Sequence, residues 1–103
     1  VQREEVIRVR DYEVMYILDA ELDEENIDAA VARFEDVVKN DGGEIVKTER
    51  WGKRKLAYEI NDKNEGYYVL MYFKSPSGAA QELERILKLN DDVLRHLLVK
   101  KEE

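Results

Sequence analysis

The chain has 103 residues, of which 44% are hydrophobic and 40% charged, and its formal net charge at pH 7 is -7. This length suits one domain with a single hydrophobic core. The absence of cysteine excludes disulfides and thiolate metal sites, and no apolar run approaches the roughly 18 residues that a membrane span requires. The excess of acid argues against non-specific nucleic-acid binding, because an acidic surface repels phosphate.

The first half of the chain predicts a strand followed by a helix. Residues 12–19, YEVMYILD, alternate with a period of two and are apolar on both faces, which is typical of a central strand. Residues 1–9 are interpreted as an extension before it. Asp23 is a suitable N-cap for the helix, and Gly42 is expected to lie just beyond its end. The helix carries an apolar stripe at three- and four-residue spacing, formed by Ile27, Ala30, Val31, Phe34 and Val38.

The second half predicts a long hairpin, a second helix and a final strand. Residues 44–61 form the first arm of the hairpin, in which Gly52 marks a bulge, and YYVLMYFK forms the second arm after turn residues. Pro76 ends the second arm. VLRHLLVK is the last strand, and residues 102–103 are a polar tail. The helix between them has the apolar stripe Ala80, Leu83, Ile86 and Leu87.

The order strand, helix, strand, strand, helix, strand predicts an α+β fold. A split β-α-β arrangement of this kind, the ferredoxin-like fold, places two helices on one face of a four-stranded antiparallel sheet. The predicted domain spans residues 10–101.

Catalytic chemistry is not indicated by the sequence. His96 is the only histidine, and no serine or cysteine is placed beside it to form a nucleophilic pair. A phosphatase of this fold class would need an anion-binding loop before the first helix, where this chain has the acidic stretch DAELDEEN. We therefore expect no enzyme, no resident metal and no cofactor.

A basic segment interrupts the acidic chain between residues 47 and 55. It holds one anion, Glu49, and the five cations Lys47, Arg50, Lys53, Arg54 and Lys55. Strand geometry predicts Lys53 and Lys55 on one face and Arg54 on the other. The segment is interpreted either as a charged edge strand that resists aggregation or as a surface that binds RNA. Trp51 beside it would stack on a base or pack against the helices, and the sequence leaves both open.

Three stretches resemble the bacterial-type family of small-subunit ribosomal protein S6. They are RDYEVMYIL in the first strand, WGKRKLAYEI with EGYYVLMYF in the hairpin, and LNDDVLRHLLVK at the end. With the intervening helix they span residues 10–101. The most specific part is an ordered set in the hairpin, Gly52, Arg54, Leu56, Ala57 and Tyr58, followed by Gly66 and Tyr67.

The resemblance implies a structural protein of the small ribosomal subunit, located on ribosomes in the bacterial cytoplasm or an organelle. It implies binding to the central domain of the small-subunit rRNA as a heterodimer with ribosomal protein S18, a small basic protein, and neither a membrane nor a small-molecule substrate. The positions that it places near RNA are Arg10, Lys53, Arg54, Lys55 and Arg95. The positions that it places against the partner or in the core are Trp51, Leu56, Tyr58 and Ile60.

An alternative comes from another functional class. Domains of this fold also serve as ligand-binding or regulatory modules that homodimerise through the sheet. That reading predicts a concentration-dependent homodimer and a small-molecule pocket.

Overall fold

The computed structural model of the chain describes residues 8–101. Residues 1–7, most of the predicted extension, and the tail at 102–103 lie outside the described residues. The elements are β1 (Arg10–Asp19), α1 (Glu24–Asn40), β2 (Glu44–Ile60), β3 (Lys63–Ser75), α2 (Ser77–Leu89) and β4 (Val93–Lys101). Their order confirms the predicted β-α-β-β-α-β arrangement.

The four strands form one antiparallel sheet in the order β2-β3-β1-β4. Strand β1 is central, as its two apolar faces predicted, and Tyr16 lies between Val69 of β3 and His96 of β4. The buried core joins alternate residues of β1 to side chains of both helices. Both helices therefore cover the same face of the sheet, and we call the other face the open face.

Helix α1 begins and ends where local chemistry predicts. The Asp23 carboxylate accepts a hydrogen bond from the backbone N–H of Asn26 at 2.9 Å, which satisfies one of the free donors of the first turn. The helix ends at Asn40, two residues before Gly42, whose φ of 87° belongs to the left-handed region that glycine adopts readily. Four of the five residues of the predicted stripe, Ile27, Val31, Phe34 and Val38, are buried, and the fifth, Ala30, is half-buried.

The β2–β3 hairpin is longer than the rest of the sheet. The last residue of β1, Asp19, pairs with Gly66, so residues 63–65 of β3 and their partners in β2 extend beyond β1. Asn61 and Asp62 turn the chain with φ values of 50° and 64°, as in the type I′ turns that favour asparagine and aspartate. The hairpin contributes to an elongated molecule, whose longest dimension is 58 Å.

One buried polar group in the core has no partner among residues 8–101. The side chain of Tyr16 is fully buried and packs edge-on against Phe34, with ring centroids 4.9 Å apart, and its hydroxyl makes no hydrogen bond to those residues. Burial raises the pKa of this hydroxyl well above its usual range.

We expect Tyr16→Phe to stabilise the fold by about 1 kcal/mol, because it removes an unsatisfied hydroxyl while keeping the ring. Urea unfolding measures the change. Tyr58→Phe is the control, since Tyr58 is 59% exposed, and should change the free energy of unfolding by less than about 0.5 kcal/mol. A clear loss of stability in Tyr16→Phe would mean that the hydroxyl is satisfied in solution.

Candidate nucleic-acid and protein interface

An apolar groove lies on the open face, between the far end of the β2–β3 hairpin and β4. Its volume is about 270 Å³. Besides Arg95 and His96, the groove is lined by Met15, Ile17, Leu56, Ala57, Tyr58, Ile60, Tyr68 and Leu97. No carboxylate is among these lining residues.

Side chains from both edge strands meet across the groove. Strands β2 and β4 are opposite edges of the sheet, roughly 14 Å apart at normal strand spacing. Nevertheless the Arg95 guanidinium of β4 hydrogen-bonds to the Tyr58 hydroxyl of β2 and lies 5.9 Å from the centre of its ring. The contact joins the two sides of the groove, since both residues line it.

The buried glycine Gly66 permits Ile17 of β1 and Leu56 of β2 to pack closely against β3. A Cβ atom at Gly66 would collide with Cγ2 of Ile17 and lie 3.4 Å from Cδ2 of Leu56. Both of those side chains line the groove. Close packing therefore accounts for the glycine in the Gly66-Tyr67 pair.

We expect Gly66→Ala to destabilise the protein by about 1–3 kcal/mol, because the added methyl forces Ile17 toward the groove. Urea unfolding measures this loss. Gly78→Ala is the matched control, since nothing lies within 4 Å of a Cβ there. It should be neutral or slightly stabilising. Equal stability of the two variants would show that the hairpin does not pack closely over Ile17.

Three predicted partner or core residues, Leu56, Tyr58 and Ile60, are placed on the groove and outside the buried core. Leu56 and Ile60 are half-buried, and Tyr58 is exposed. On β4, Leu97 is 59% exposed and Val99 44% exposed, and both face the open side. Contiguous exposed apolar side chains of this kind mark interaction surfaces in soluble proteins.

The basic segment follows the predicted alternation. Lys53, Arg54 and Lys55 pair in register with Tyr67, Gly66 and Glu65, so their side chains point to alternate faces. All three are exposed. We call these three residues the cationic run.

The cationic run makes no salt bridge within residues 8–101, since no carboxylate there lies within 4.0 Å of its nitrogens. Acidic residues are nevertheless close, because Glu65 is the strand partner of Lys55. Neighbouring cations of the same hairpin are neutralised. Arg50 lies 2.6 Å from Asp28, and Lys63 lies 2.7 Å from Glu21. Cations on both sides of the run are therefore held in salt bridges, whereas the run makes none with the described residues.

Trp51 is not part of the core, because its side chain is 44% exposed. It occupies the bulge, where the register shifts between Arg50 and Gly52, and Gly52 has a φ of 85°. Its ring lies 5.3 Å from the Arg54 guanidinium. Its indole N–H donates to the Glu49 carboxylate at 3.3 Å, and the hydrogen bond from Lys47, followed by this one, lowers the pKa of Glu49. Of the two interpretations of Trp51, packing against the helices does not hold.

The other residues predicted near RNA lie in two places. Arg95 pairs with Ile17 and belongs to the groove. Arg10 lies opposite Ser75 at one end of β3, and Arg54 lies opposite Gly66, nine residues away along β3. Arg10 is therefore roughly 30 Å from the cationic run at normal strand rise.

The described residues contain neither a metal-binding cluster nor a membrane-spanning helix. Residues 8–101 contain no cluster of three or more side chains suited to a metal ion. Neither described helix is long and apolar enough to cross a membrane. His96 is half-buried, with its Nε2 atom 3.9 Å from a Glu84 oxygen.

Comparison with known proteins finds relatives that all belong to one family, ribosomal protein S6. The sequence model of the ribosomal protein S6 family matches residues 11–100. Small ribosomal subunit protein bS6 of Carboxydothermus hydrogenoformans is 48% identical over 95 residues, covering 92% of this chain and 99% of that protein. The bS6 protein of Thermoanaerobacter pseudethanolicus is 50% identical over 95 residues, covering 92% and 100%.

A solved structure of a ribosomal protein S6 has the same fold as this chain. The crystal structure of 30S ribosomal protein S6 from Thermotoga maritima superposes with a TM-score of 0.86 at 34% sequence identity. The match covers 91% of this chain and 89% of that chain.

Proposed function

The chain belongs to the ribosomal protein S6 family, and from that premise we propose that it binds the central domain of the small-subunit rRNA as a heterodimer with ribosomal protein S18. The protein is a structural component of the small ribosomal subunit and acts by assembly, without catalysis. The observation that carries the finer proposal is the adjacency, on one hairpin, of an open apolar groove and an exposed cationic run that makes no salt bridge to the described residues.

The groove is the proposed site for the protein partner. It presents exposed apolar side chains such as Tyr58 and Leu97, whose burial would supply the favourable free energy of association. The net charge of -7 attracts a basic partner at long range. Because the groove lining has no carboxylate, that attraction steers the encounter, and apolar contact holds the complex.

The cationic run is the proposed RNA contact. Lys53 and Lys55 point away from the open face and Arg54 toward it, so phosphates can be met on both sides of the strand. Contacts with phosphate orient a protein on RNA and do not read its sequence. Specificity for one rRNA site then requires the partner as well, since the rest of this acidic chain repels RNA.

Affinity purification from a bacterial lysate tests the proposal. The tagged chain should recover S18 together with small-subunit rRNA, and the Leu97→Asp variant should lose S18 selectively. Recovery of neither molecule by the wild-type chain would overturn the proposal. Sedimentation of the purified chain separates it from the homodimer alternative, which requires self-association that rises with concentration.

A further inference from the structure

A β-bulge in the backbone places the side chain of Trp51 at the protein surface. The β-bulge gives β2 one residue more than β3 at this point, so Trp51 has no partner in the ladder. Bulges re-aim side chains in this way. Trp51 also lies outside the apolar groove, whose lining begins further along the strand at Leu56. A partner seated in the groove therefore does not need Trp51.

Trp51 is 44% exposed, and two described side chains orient its ring. Arg54 covers one face at 5.3 Å, and the N–H edge is fixed by the hydrogen bond to Glu49. Within residues 8–101 no other aromatic ring stacks on it. The indole is thus oriented by Arg54 at one face and by Glu49 at its N–H edge, and its exposed surface is large enough to receive a flat ligand.

Arg54 supplies the second half of a nucleotide site. Its guanidinium lies over the indole and has no carboxylate partner within the described part of the chain. Arginine that stacks on an aromatic ring keeps its N–H donors in the plane, where they can bind a phosphate in bidentate fashion. Stacking surface and phosphate donor are therefore already assembled, which lowers the entropy lost on binding.

We propose that Trp51 and Arg54 form a stacking site for one unpaired nucleotide of the bound RNA. The base lies on the exposed surface of the Trp51 ring, and its phosphate is held by Arg54. The inference rests on the proposed function, because it concerns the same RNA complex. It assigns to Trp51 a role in RNA binding in place of the partner contact expected from the resemblance.

The chain contains a single tryptophan, so its fluorescence reports directly on Trp51. The probe is the rRNA central-domain fragment, added to the heterodimer with S18. Adding S18 alone should leave the emission maximum unchanged, because Trp51 stays exposed. Adding RNA should quench the emission and reduce its accessibility to acrylamide, because a stacked base covers the ring.

Substitutions give an independent readout. Trp51→Leu should weaken RNA binding by roughly 5- to 100-fold, the range for loss of one base–aromatic stack, with S18 affinity unchanged. Trp51→Phe should restore most of the loss. Val46→Ala is the matched control, since Val46 is another exposed hydrophobic residue of β2 (57%), and should leave RNA affinity within about twofold.

Three outcomes overturn the inference. A blue shift on adding S18 would make Trp51 a partner contact. Normal RNA binding by Trp51→Leu, with unchanged wild-type fluorescence, would refute the stacking site and leave the proposed function intact. Failure of the wild-type heterodimer to bind RNA would refute both.

Discussion

Replacing Leu97 by aspartate is expected to lower the affinity for S18 by at least about 100-fold. Leu97 lines the groove from the edge strand β4, opposite Met15 of the central strand β1. A partner seated there would bury the new carboxylate without a counter-charge, and an unpaired buried charge costs about 3 kcal/mol or more. The free protein should remain folded, because Leu97 is 59% exposed. Isothermal titration of the purified proteins measures the effect.

Leu89→Asp is the matched control for this substitution. Leu89 is 68% exposed on α2, the helix-covered side of the molecule, and the change adds the same charge. The control should bind S18 as the wild type does. Equal losses in the two variants would show that total charge, and not the groove, determines partner binding.

Removing the cationic run is expected to produce the largest change in RNA binding. If Lys53, Arg54 and Lys55 each neutralise one phosphate, the triple alanine variant loses about three units from the slope of log K against log salt. At 0.1 M salt, relative to 1 M, this corresponds to a loss of roughly 100- to 1,000-fold in affinity, for about 0.7 to 1 unit of slope per phosphate. Filter binding of the heterodimer across a salt series measures both quantities, and partner affinity should be unchanged.

The control removes the same charge from the helices, through alanine at Lys39, Arg85 and Lys88. These residues lie in α1 and α2, and Arg85 is already paired with Glu82 at 2.5 Å. The salt slope should stay near the wild-type value. If the helix variant lost as much slope as the hairpin variant, RNA would not bind at β2.

The sequence predicts the fold well because local signals and burial agree. The apolar stripe of α1, its Asp23 cap and the glycine beyond its end each specify the same helix, and the structure contains it. The central position of β1 follows from side chains on its second face, including Met15 and Ile17. The same signal could also have revealed the groove, since two apolar faces in a strand require two covered or partner-seeking surfaces.

Contacts made between distant segments are less visible in the sequence. The contact of Tyr58 with Arg95 joins the two edge strands, and the packing of Ile17 and Leu56 around Gly66 joins three strands, which no periodicity describes. The positions of Arg10 and the cationic run at opposite ends of β1 depend on strand register. The salt bridges have the same origin, because the pairing of Arg50 with Asp28 joins β2 to α1, whereas the run beside it makes no salt bridge within the described residues.

The affinity of the chain for the rRNA central-domain fragment, measured with and without saturating S18, tests the account most directly. The account predicts weak, strongly salt-dependent binding by the chain alone and at least a tenfold gain with S18. Leu97→Asp should remove that gain, and alanine at the cationic run should weaken binding in the presence of S18. An RNA affinity that is the same with and without S18 would contradict the account.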